Sequence, residues 1–265
     1  MPLHRYGQSC YNTDAMLKSL HSLYITPLWA SCIVVAVYAI ARAAHLQRTL
    51  APAQQRDLPT SRQMTVIMIV IVILGLYGAR LARFIMEPGS ILSLSDFFIL
   101  TRGGFVSWGS FAGIFLAAMI TTRLMRLSLP KTLDIVALAL PPHIITRSIG
   151  CLLDGCCYGT PTDSFLAVFS HGAWRHPFPL YIIVLCLVIY IALMRAASRR
   201  PAPGTLMTRF FLWYTCGRFF LEYFRQEPAL PGFPWLTLPQ LVCLLFLPLV
   251  VYLHLHLERI PCRTP

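Results

Sequence analysis

The chain has 265 residues, of which 57% are hydrophobic and only 12% are charged, with a formal net charge of +12. Soluble domains carry charge on roughly a quarter of their residues, so this composition excludes an ordinary soluble protein. Long apolar runs with short polar breaks instead predict a helical membrane protein that crosses the bilayer several times. In such a protein excess arginine is typical of orientation signals and lipid contacts, so we expect no nucleic-acid partner.

Seven apolar segments follow one another, each close to the roughly 20 residues that a helix needs to cross a bilayer. They lie approximately at Leu23–Ala44, Met64–Ile85, Phe105–Met125, Leu133–Leu153, Leu180–Ala197, Leu206–Phe224 and Leu236–Leu257. We therefore predict an all-α polytopic bundle of about seven transmembrane helices, forming a single integral-membrane domain over residues 1–265. The first apolar segment is too long for the h-region of a signal peptide, so no cleavable signal is expected.

Arginine and lysine cluster in every second break between these segments, which predicts the orientation of the bundle. The residues concerned are Arg48, Arg56, Arg62, Arg123, Arg126, Lys131, Arg195, Arg199, Arg200, Arg209, Arg259 and Arg263. By the positive-inside rule these breaks face the cytoplasm. The N-terminus is then outside and the C-terminus inside.

A second group of basic residues breaks this rule, because its members lie toward the outer ends of the segments. They are Arg80, Arg83, Arg102, Arg147, Arg175, His176, Arg218 and Arg225. Charges at this depth must face the bundle interior or a wet cavity, since lipid tails cannot solvate them. Only Asp96, Asp154 and Glu222 are well placed to offset these charges, so positive charge remains in excess.

This surplus of guanidinium groups predicts a site for an anionic phospholipid at the outer end of the bundle, because arginine matches phosphate oxygens two at a time. The alternative is structural ion pairing together with snorkelling at the interface, which accounts for Arg83 and Arg102. It accounts much less well for Arg147, Arg218 and Arg225 together.

Two patterns suggest how these charges are arranged. If the fourth helix continues far enough, Arg147 and Asp154 lie seven residues apart on one face. Arg218, Glu222 and Arg225 have the i, i+4, i+7 spacing of another helical face.

The stretch R-S-I-G-C-L-L-D-G-C-C-Y-G also offers reactive thiols. Cys156 and Cys157 are candidate nucleophiles, since cationic neighbours favour the thiolate form. The alternatives are a disulfide, a packing contact between helices or an inert thiol, and buried cysteine is commonly only a packing residue. The chain has no C-x-x-C pair, which argues against a zinc or redox motif, and we expect no metal or other cofactor.

The outer loop that follows contains two candidate general bases, because imidazole exchanges a proton near neutral pH. His176 is the preferred one. His171 is interpreted as a solvated loop residue.

Six stretches of the chain resemble the prolipoprotein diacylglyceryl transferase family of bacterial inner membranes. They are G-A-R (Gly78–Arg80), R-G-G-F-V-S-W-G-S (Arg102–Ser110), L-D-I-V-A (Leu133–Ala137), R-S-I-G-C-L-L-D-G-C-C-Y-G (Arg147–Gly159), R-H-P-F-P-L-Y (Arg175–Tyr181) and G-R-F-F-L-E-Y-F-R (Gly217–Arg225). The resemblance runs from about Gly78 to about Gln240 and rests on the order and spacing of these stretches together with the seven-segment layout.

The resemblance implies a transferase that moves the diacylglyceryl group of phosphatidylglycerol to the cysteine thiol of a lipoprotein precursor. Glycerol phosphate is released, and the work is done at the outer face of the inner membrane. By motif match, Arg147 and Arg218 would hold the phosphate, and Glu222 and Arg225 would support Arg218. Asp154 would orient the arginines and is the second candidate base after His176. Other expected substrate contacts are Arg80, Trp108 and Arg175.

The chain departs from the family pattern R-I-G-N-F-I-N-G-E. Ser148 stands where the family has arginine, with Arg147 one residue early. Cys151 and Asp154 stand at the two asparagine positions, and Cys156 at the glutamate position. These changes resemble a side branch that carries G-C-C-Y-G.

A further departure concerns the acceptor. The family's H-G-G reads W-G-S at Trp108–Ser110, so the histidine proposed to act on the thiol is absent. The residues expected to hold the lipid resemble those of the family, whereas the residues expected to act on the acceptor differ. Two alternatives therefore stay open: the same donor chemistry on another acceptor, such as a polysaccharide, another lipid or a non-lipobox thiol, and a non-catalytic lipid-binding scaffold or transporter.

Overall fold

The computed structural model describes residues 16–50, 55, 57–86, 107–153, 155, 157–226, 229–230 and 232–259. Within these residues the chain forms seven α-helices and two short antiparallel hairpins. The helices are α1 (Met16–Thr49), α2 (Ser61–Met86), α3 (Ser107–Leu124), α4 (Leu129–Leu153), α5 (Phe178–Ser198), α6 (Thr205–Leu221) and α7 (Leu238–Glu258). The hairpins pair β1 (Val168–Ser170) with β2 (Ala173–Arg175), and β3 (Ala229–Leu230) with β4 (Phe233–Thr237).

Each of these seven helices overlaps one of the apolar segments predicted from the sequence, which confirms a helical membrane protein. Helices α1, α2, α4, α5 and α7 contain stretches long and apolar enough to cross a bilayer. Helices α3 and α6 are shorter, with 18 and 17 residues. The exact number of spans, the orientation of the termini and the single-domain organisation stay predictions.

Helix α4 is central to the bundle, because it packs on α1, α3, α5 and α6. Ile135, Val136 and Ala139 join an apolar cluster with α1, α2 and α3. Ala137 and Leu138 join a second cluster, which is formed with α5 and α6. One helix therefore links both halves of the core and carries polar residues near its two ends.

The end of the bundle where α4 and α6 begin is held by Asp134 on the first turns of α4. Its carboxylate accepts hydrogen bonds from the backbone N–H of Gly204, at 2.7 Å, and of Met207, at 3.0 Å. The first N–H groups of a helix have no partner within that helix, so this aspartate caps α6 from a neighbouring helix. We call this the aspartate end. The opposite end, where α4 and α6 finish with Arg147 and Arg218, is the arginine end.

Helices α2 and α3 approach so closely that their backbones touch. A Cβ atom built on Gly109 would lie 2.0 Å from the carbonyl oxygen of Gly78, and one on Gly113 would lie 2.1 Å from that of Leu74. Gly109 and Gly113 form the G-x-x-x-G spacing that lets membrane helices pack backbone to backbone. Only glycine is compatible with this contact.

Replacing Gly113 with leucine is expected to push α2 and α3 apart and to destabilise the bundle by about 1–3 kcal/mol or more, the usual cost of overpacking. The measurement is the thermal unfolding midpoint of the purified protein in detergent. Ala112 is the matched control, because it precedes Gly113 on α3 and is exposed. Ala112→Leu should leave the midpoint nearly unchanged, and equal midpoints for the two variants would contradict the packing argument.

Candidate active site

Two arginines and a buried glutamate meet at the arginine end, where α6 finishes. The side chain of Glu222 is only 1% exposed, and it forms an ion pair with Arg218 one turn earlier. The second carboxylate oxygen lies 3.6 Å from Nη1 of Arg225. One carboxylate therefore holds two guanidinium groups, and this cluster of three keeps a net positive charge.

Arg218, Glu222 and Arg225 come together as predicted, but they do not lie on the continuous helical face that the sequence predicts. Helix α6 ends at Leu221, Glu222–Phe224 form a single 3-10 turn, and Arg225 has extended backbone angles (φ −94°, ψ 140°). The predicted helix through Phe224 is therefore wrong at its last turn. The tighter turn brings Arg225 back to Glu222, so the expected clustering is found without the continuous helix.

Phe178, at the start of α5, lies beneath both arginines. Its ring centroid is 4.9 Å from the guanidinium carbon of Arg218 and 5.6 Å from that of Arg225. A cation over an aromatic face is stabilised by about 0.5–2 kcal/mol, depending on how far it is desolvated. The ring, which is 4% exposed, thus fixes the position of the cluster from below.

Arg147 lies at the same end of the bundle, on the last turns of α4, and is exposed. Helix α4 packs on α6, which carries Arg218 in its last turn. Tyr214 precedes Arg218 by one helical turn, so these two side chains share a face of α6. The two arginines predicted to hold a phosphate therefore lie at the same end of two helices that pack together.

The loop between α4 and α5 is joined to this cluster through Gly159. The backbone of Gly159 pairs with that of Arg225, and its N–H donates to the carbonyl of His176 at 3.0 Å. A Cβ on Gly159 would lie 2.5 Å from the carbonyl oxygens of His176 and Phe224. The last glycine of G-C-C-Y-G thus lies in a narrow space between two of the other motifs, where no larger residue is accommodated.

Arg175 and His176 are positioned by this pairing. The guanidinium of Arg175 donates to the carbonyls of Ser170, at 3.2 Å, and Gly159, at 3.3 Å, and to the side chain of Gln226. Nδ1 of His176 lies 2.9 Å from the Tyr181 hydroxyl. Arg175 therefore ties the loop together, whereas the second ring nitrogen of His176 is not used in this contact.

Several predicted site residues fall outside the part of the chain that the structure describes. These are Asp154, Cys156 and the side chain of Trp108. The described part of α4 ends at Leu153, so the helical face expected to join Arg147 to Asp154 lies partly outside the described residues and stays a prediction.

Three further residues that the sequence singled out, Cys157, Arg80 and His171, lie within the described part of the chain. Cys157 is half-buried and has a left-handed backbone (φ 58°), which is uncommon for a residue with a side chain. Arg80 on α2 is only 3% exposed, so its charge lies inside the protein and not among lipid tails. His171, interpreted as a loop residue, is exposed and contacts the carbonyl of Gly155 at 3.0 Å.

Sequence reasoning missed the aromatic part of this region. Phe178 and Tyr181 both lie in R-H-P-F-P-L-Y, the stretch that supplied Arg175 and His176. The signal that could have found Tyr214 is its spacing of four residues before Arg218, which predicts a shared helical face.

The sequence profile described as prolipoprotein diacylglyceryl transferase matches residues 27–256. This chain belongs to the prolipoprotein diacylglyceryl transferase family. Membership agrees with the multi-pass helical architecture and with the motifs around the arginine cluster.

Three relatives share the name phosphatidylglycerol–prolipoprotein diacylglyceryl transferase. The protein of Chlorobaculum tepidum is 30% identical over 52% of this chain and 50% of its own length. That of Nitratidesulfovibrio vulgaris is 30% identical over 62% of each chain, and that of Roseobacter denitrificans 28% identical over 64% of each. The matches thus span about half to two thirds of the length of these relatives.

Proposed function

We propose that this protein is a membrane transferase that uses phosphatidylglycerol as donor and moves its diacylglyceryl group to a thiol, with a lipoprotein precursor as acceptor. The observation that carries the proposal is the pair of arginines held on the buried Glu222, at the end of the bundle where α4 carries Arg147. The names of the relatives support both donor and acceptor.

The arginine cluster supports the donor half of the reaction. Arg218 and Arg225 carry two positive charges and share the carboxylate of Glu222. A phosphodiester brings one negative charge, and guanidinium groups can hold its oxygens in pairs. The side chains of Arg218 and Arg225 are 17% and 22% exposed, so they are partly desolvated yet open to a ligand.

The proposed reaction is a displacement at carbon. The acceptor sulfur forms a bond to the terminal glyceryl carbon of the diacylglyceryl group, and the bond from that carbon to a phosphate oxygen breaks. Glycerol phosphate departs with the electron pair, and the thiol proton passes to a base. Negative charge grows on the departing phosphate, so fixed arginines stabilise the transition state more than the ground state.

We propose that this direct route operates without an enzyme-bound intermediate on Cys156 or Cys157. A diacylglyceryl group on a cysteine is a thioether, and a thioether sulfur is a poor leaving group for a second displacement. The left-handed backbone of Cys157 instead suits a turn that leads from α4 into the pairing strand at Gly159. We assign Cys157 a positioning role in that turn.

His176 is the proposed base, because it pairs with Tyr181 through Nδ1 and directly follows β2, where its carbonyl accepts the N–H of Gly159 beside the cluster. Replacing His176 with glutamine is expected to lower the turnover number by about 10²-fold, the lower range for loss of a general base. The measurement is the steady-state release of glycerol phosphate. His171→Gln is the matched control in the same loop and should keep the wild-type rate. Equal rates for the two variants would remove His176 from the mechanism.

The experiment that tests the proposed function is a headgroup-release assay on the purified protein with a panel of anionic phospholipids and a lipobox thiol peptide. Glycerol phosphate released from phosphatidylglycerol only when the peptide is present is the expected result. No release with any lipid or acceptor would identify a lipid-binding protein without transferase activity.

A second candidate function shares the donor but uses another acceptor. The observation that favours it is Trp108, which stands where the family has a histidine before Gly109. Release of glycerol phosphate that is independent of the thiol peptide would support this alternative.

We further propose that the arginine end faces the outside of a bacterial inner membrane, with the N-terminus on that side and the C-terminus in the cytoplasm.

A further inference from the structure

A second basic site lies at the aspartate end, far from the arginine cluster. A cavity of about 600 Å³ opens there between α1, the start of α4 and the loop that joins α5 to α6. Its lining includes Arg42, His45, Lys131 and Arg200. Cavities of about 300–1,000 Å³ are the usual size of small-ligand sites.

The described lining of this cavity includes one carboxylate, that of Asp134. It turns both oxygens toward the N-terminus of α6, where they accept the N–H groups of Gly204 and Met207. Its negative charge is therefore directed at a helix end. Arg42 and Arg200 also line the cavity, and their permanent positive charges favour an anionic ligand.

One of these cations carries a donor that the described structure leaves unmet. Nε of Arg42 is buried and has no hydrogen-bond partner among the described residues. Arg200 follows the C-cap of α5 in the left-handed conformation (φ 49°) that commonly closes a helix, with its N–H donated to the carbonyl of Ala197 at 3.2 Å. Unmet buried donors are uncommon in folded proteins and call for a partner such as a bound ligand.

We propose that this cavity binds a phosphate-bearing anion, with Arg42 and Arg200 binding its oxygens. Arginine forks match phosphate geometry, and the apolar lining of Leu46 and Leu138 suits the carbon skeleton of a ligand. The phosphate belongs either to a lipid headgroup in the leaflet at this end or to a soluble phosphate compound.

This site is separate from the proposed donor site. Asp134 and Arg147 lie on the same helix, about 20 Å apart at 1.5 Å of rise per residue. A lipid headgroup held here would lie in the opposite leaflet from one held by Arg218. The proposal therefore holds whether or not the arginine end transfers diacylglyceryl groups.

The test compares two double variants of equal charge in the full-length protein. Arg42→Gln with Arg200→Gln removes two lining cations. Arg48→Gln with Arg199→Gln removes two exposed cations from the same helix and the same loop, neither of which lines the cavity. One arm measures retention of phosphatidic acid by native mass spectrometry after release from phosphatidylcholine nanodiscs. The other measures the thermal shift produced by inorganic phosphate.

The cavity variant is expected to bind phosphate at least about tenfold more weakly than the control variant, since charge-assisted hydrogen bonds to the anion are lost. A loss confined to phosphatidic acid identifies a lipid headgroup, and a loss confined to inorganic phosphate identifies a soluble phosphate compound. A loss in both arms identifies a phosphate site that takes either source. Equal binding by the two double variants in both arms overturns the proposal.

Folding of the cavity variant is checked by its thermal midpoint without ligand. If it fails to fold, the single variant Arg200→Gln takes its place, because that side chain lies in an exposed loop. Arg199→Gln is then its control. Equal binding by these two single variants overturns the proposal in the same way.

Discussion

Replacing Arg218 with glutamine is expected to lower the release of glycerol phosphate from phosphatidylglycerol by about 10²–10³-fold. Glutamine keeps hydrogen-bond donors but carries no charge, so the departing phosphate loses a positive charge. In the wild type that charge is fixed in place by the ion pair with Glu222 and by the ring of Phe178. The loss should appear in kcat as well as in kcat/KM, because charge on the leaving group grows mainly in the transition state. Arg218→Lys should recover only part of the rate, since lysine lacks the planar fork.

Arg209 supplies the matched control for this experiment. It also lies on α6 and pairs with a glutamate, Glu258, at 2.8 Å, but it is near the other end of the helix. Arg209→Gln removes the same charge from the same helix and should leave the rate close to that of the wild type. If Arg218→Gln and Arg209→Gln turned over equally fast, the donor phosphate would have to bind elsewhere.

The architecture was predictable because each helix depends mainly on a local property. A run of about 20 apolar residues can satisfy its backbone in lipid only as a helix, so the seven segments could be located from the sequence. The close approach at Gly109 and Gly113 and the cap that Asp134 gives to α6 depend on which helices become neighbours. Periodicity along one segment contains no information on that choice.

The site was predictable in its charges but not in its geometry. Ionisable residues at membrane depth are costly, so the arginines and Glu222 could be singled out one by one. The ring of Phe178 under two guanidinium groups arises only when α5 packs beside α6. The change from α-helix to a 3-10 turn at Glu222 follows from the pairing of Arg225 with Gly159, which lies far away in the sequence.

Replacing Glu222 with glutamine is expected to be the most destabilising single change at the site. The carboxylate is 1% exposed and is the shared partner of Arg218 and Arg225. Removing one member of a buried ion pair costs about 3–5 kcal/mol, and we expect the lower end because both arginines keep some exposure. The apparent thermal midpoint in detergent should therefore fall clearly, and transfer should fall with it because neither arginine is held in place.

The paired control is Glu258→Gln, which removes a carboxylate that is 44% exposed and contacts Arg209 and His254. Exposed pairs contribute about 0–1 kcal/mol, so its midpoint should hardly change. Adding Arg218→Gln to Glu222→Gln should raise the midpoint again, because the guanidinium that Glu222 pairs across one helical turn is removed together with the carboxylate. If the double variant is less stable than Glu222→Gln alone, the loss does not come from uncompensated charge and Glu222 acts through packing.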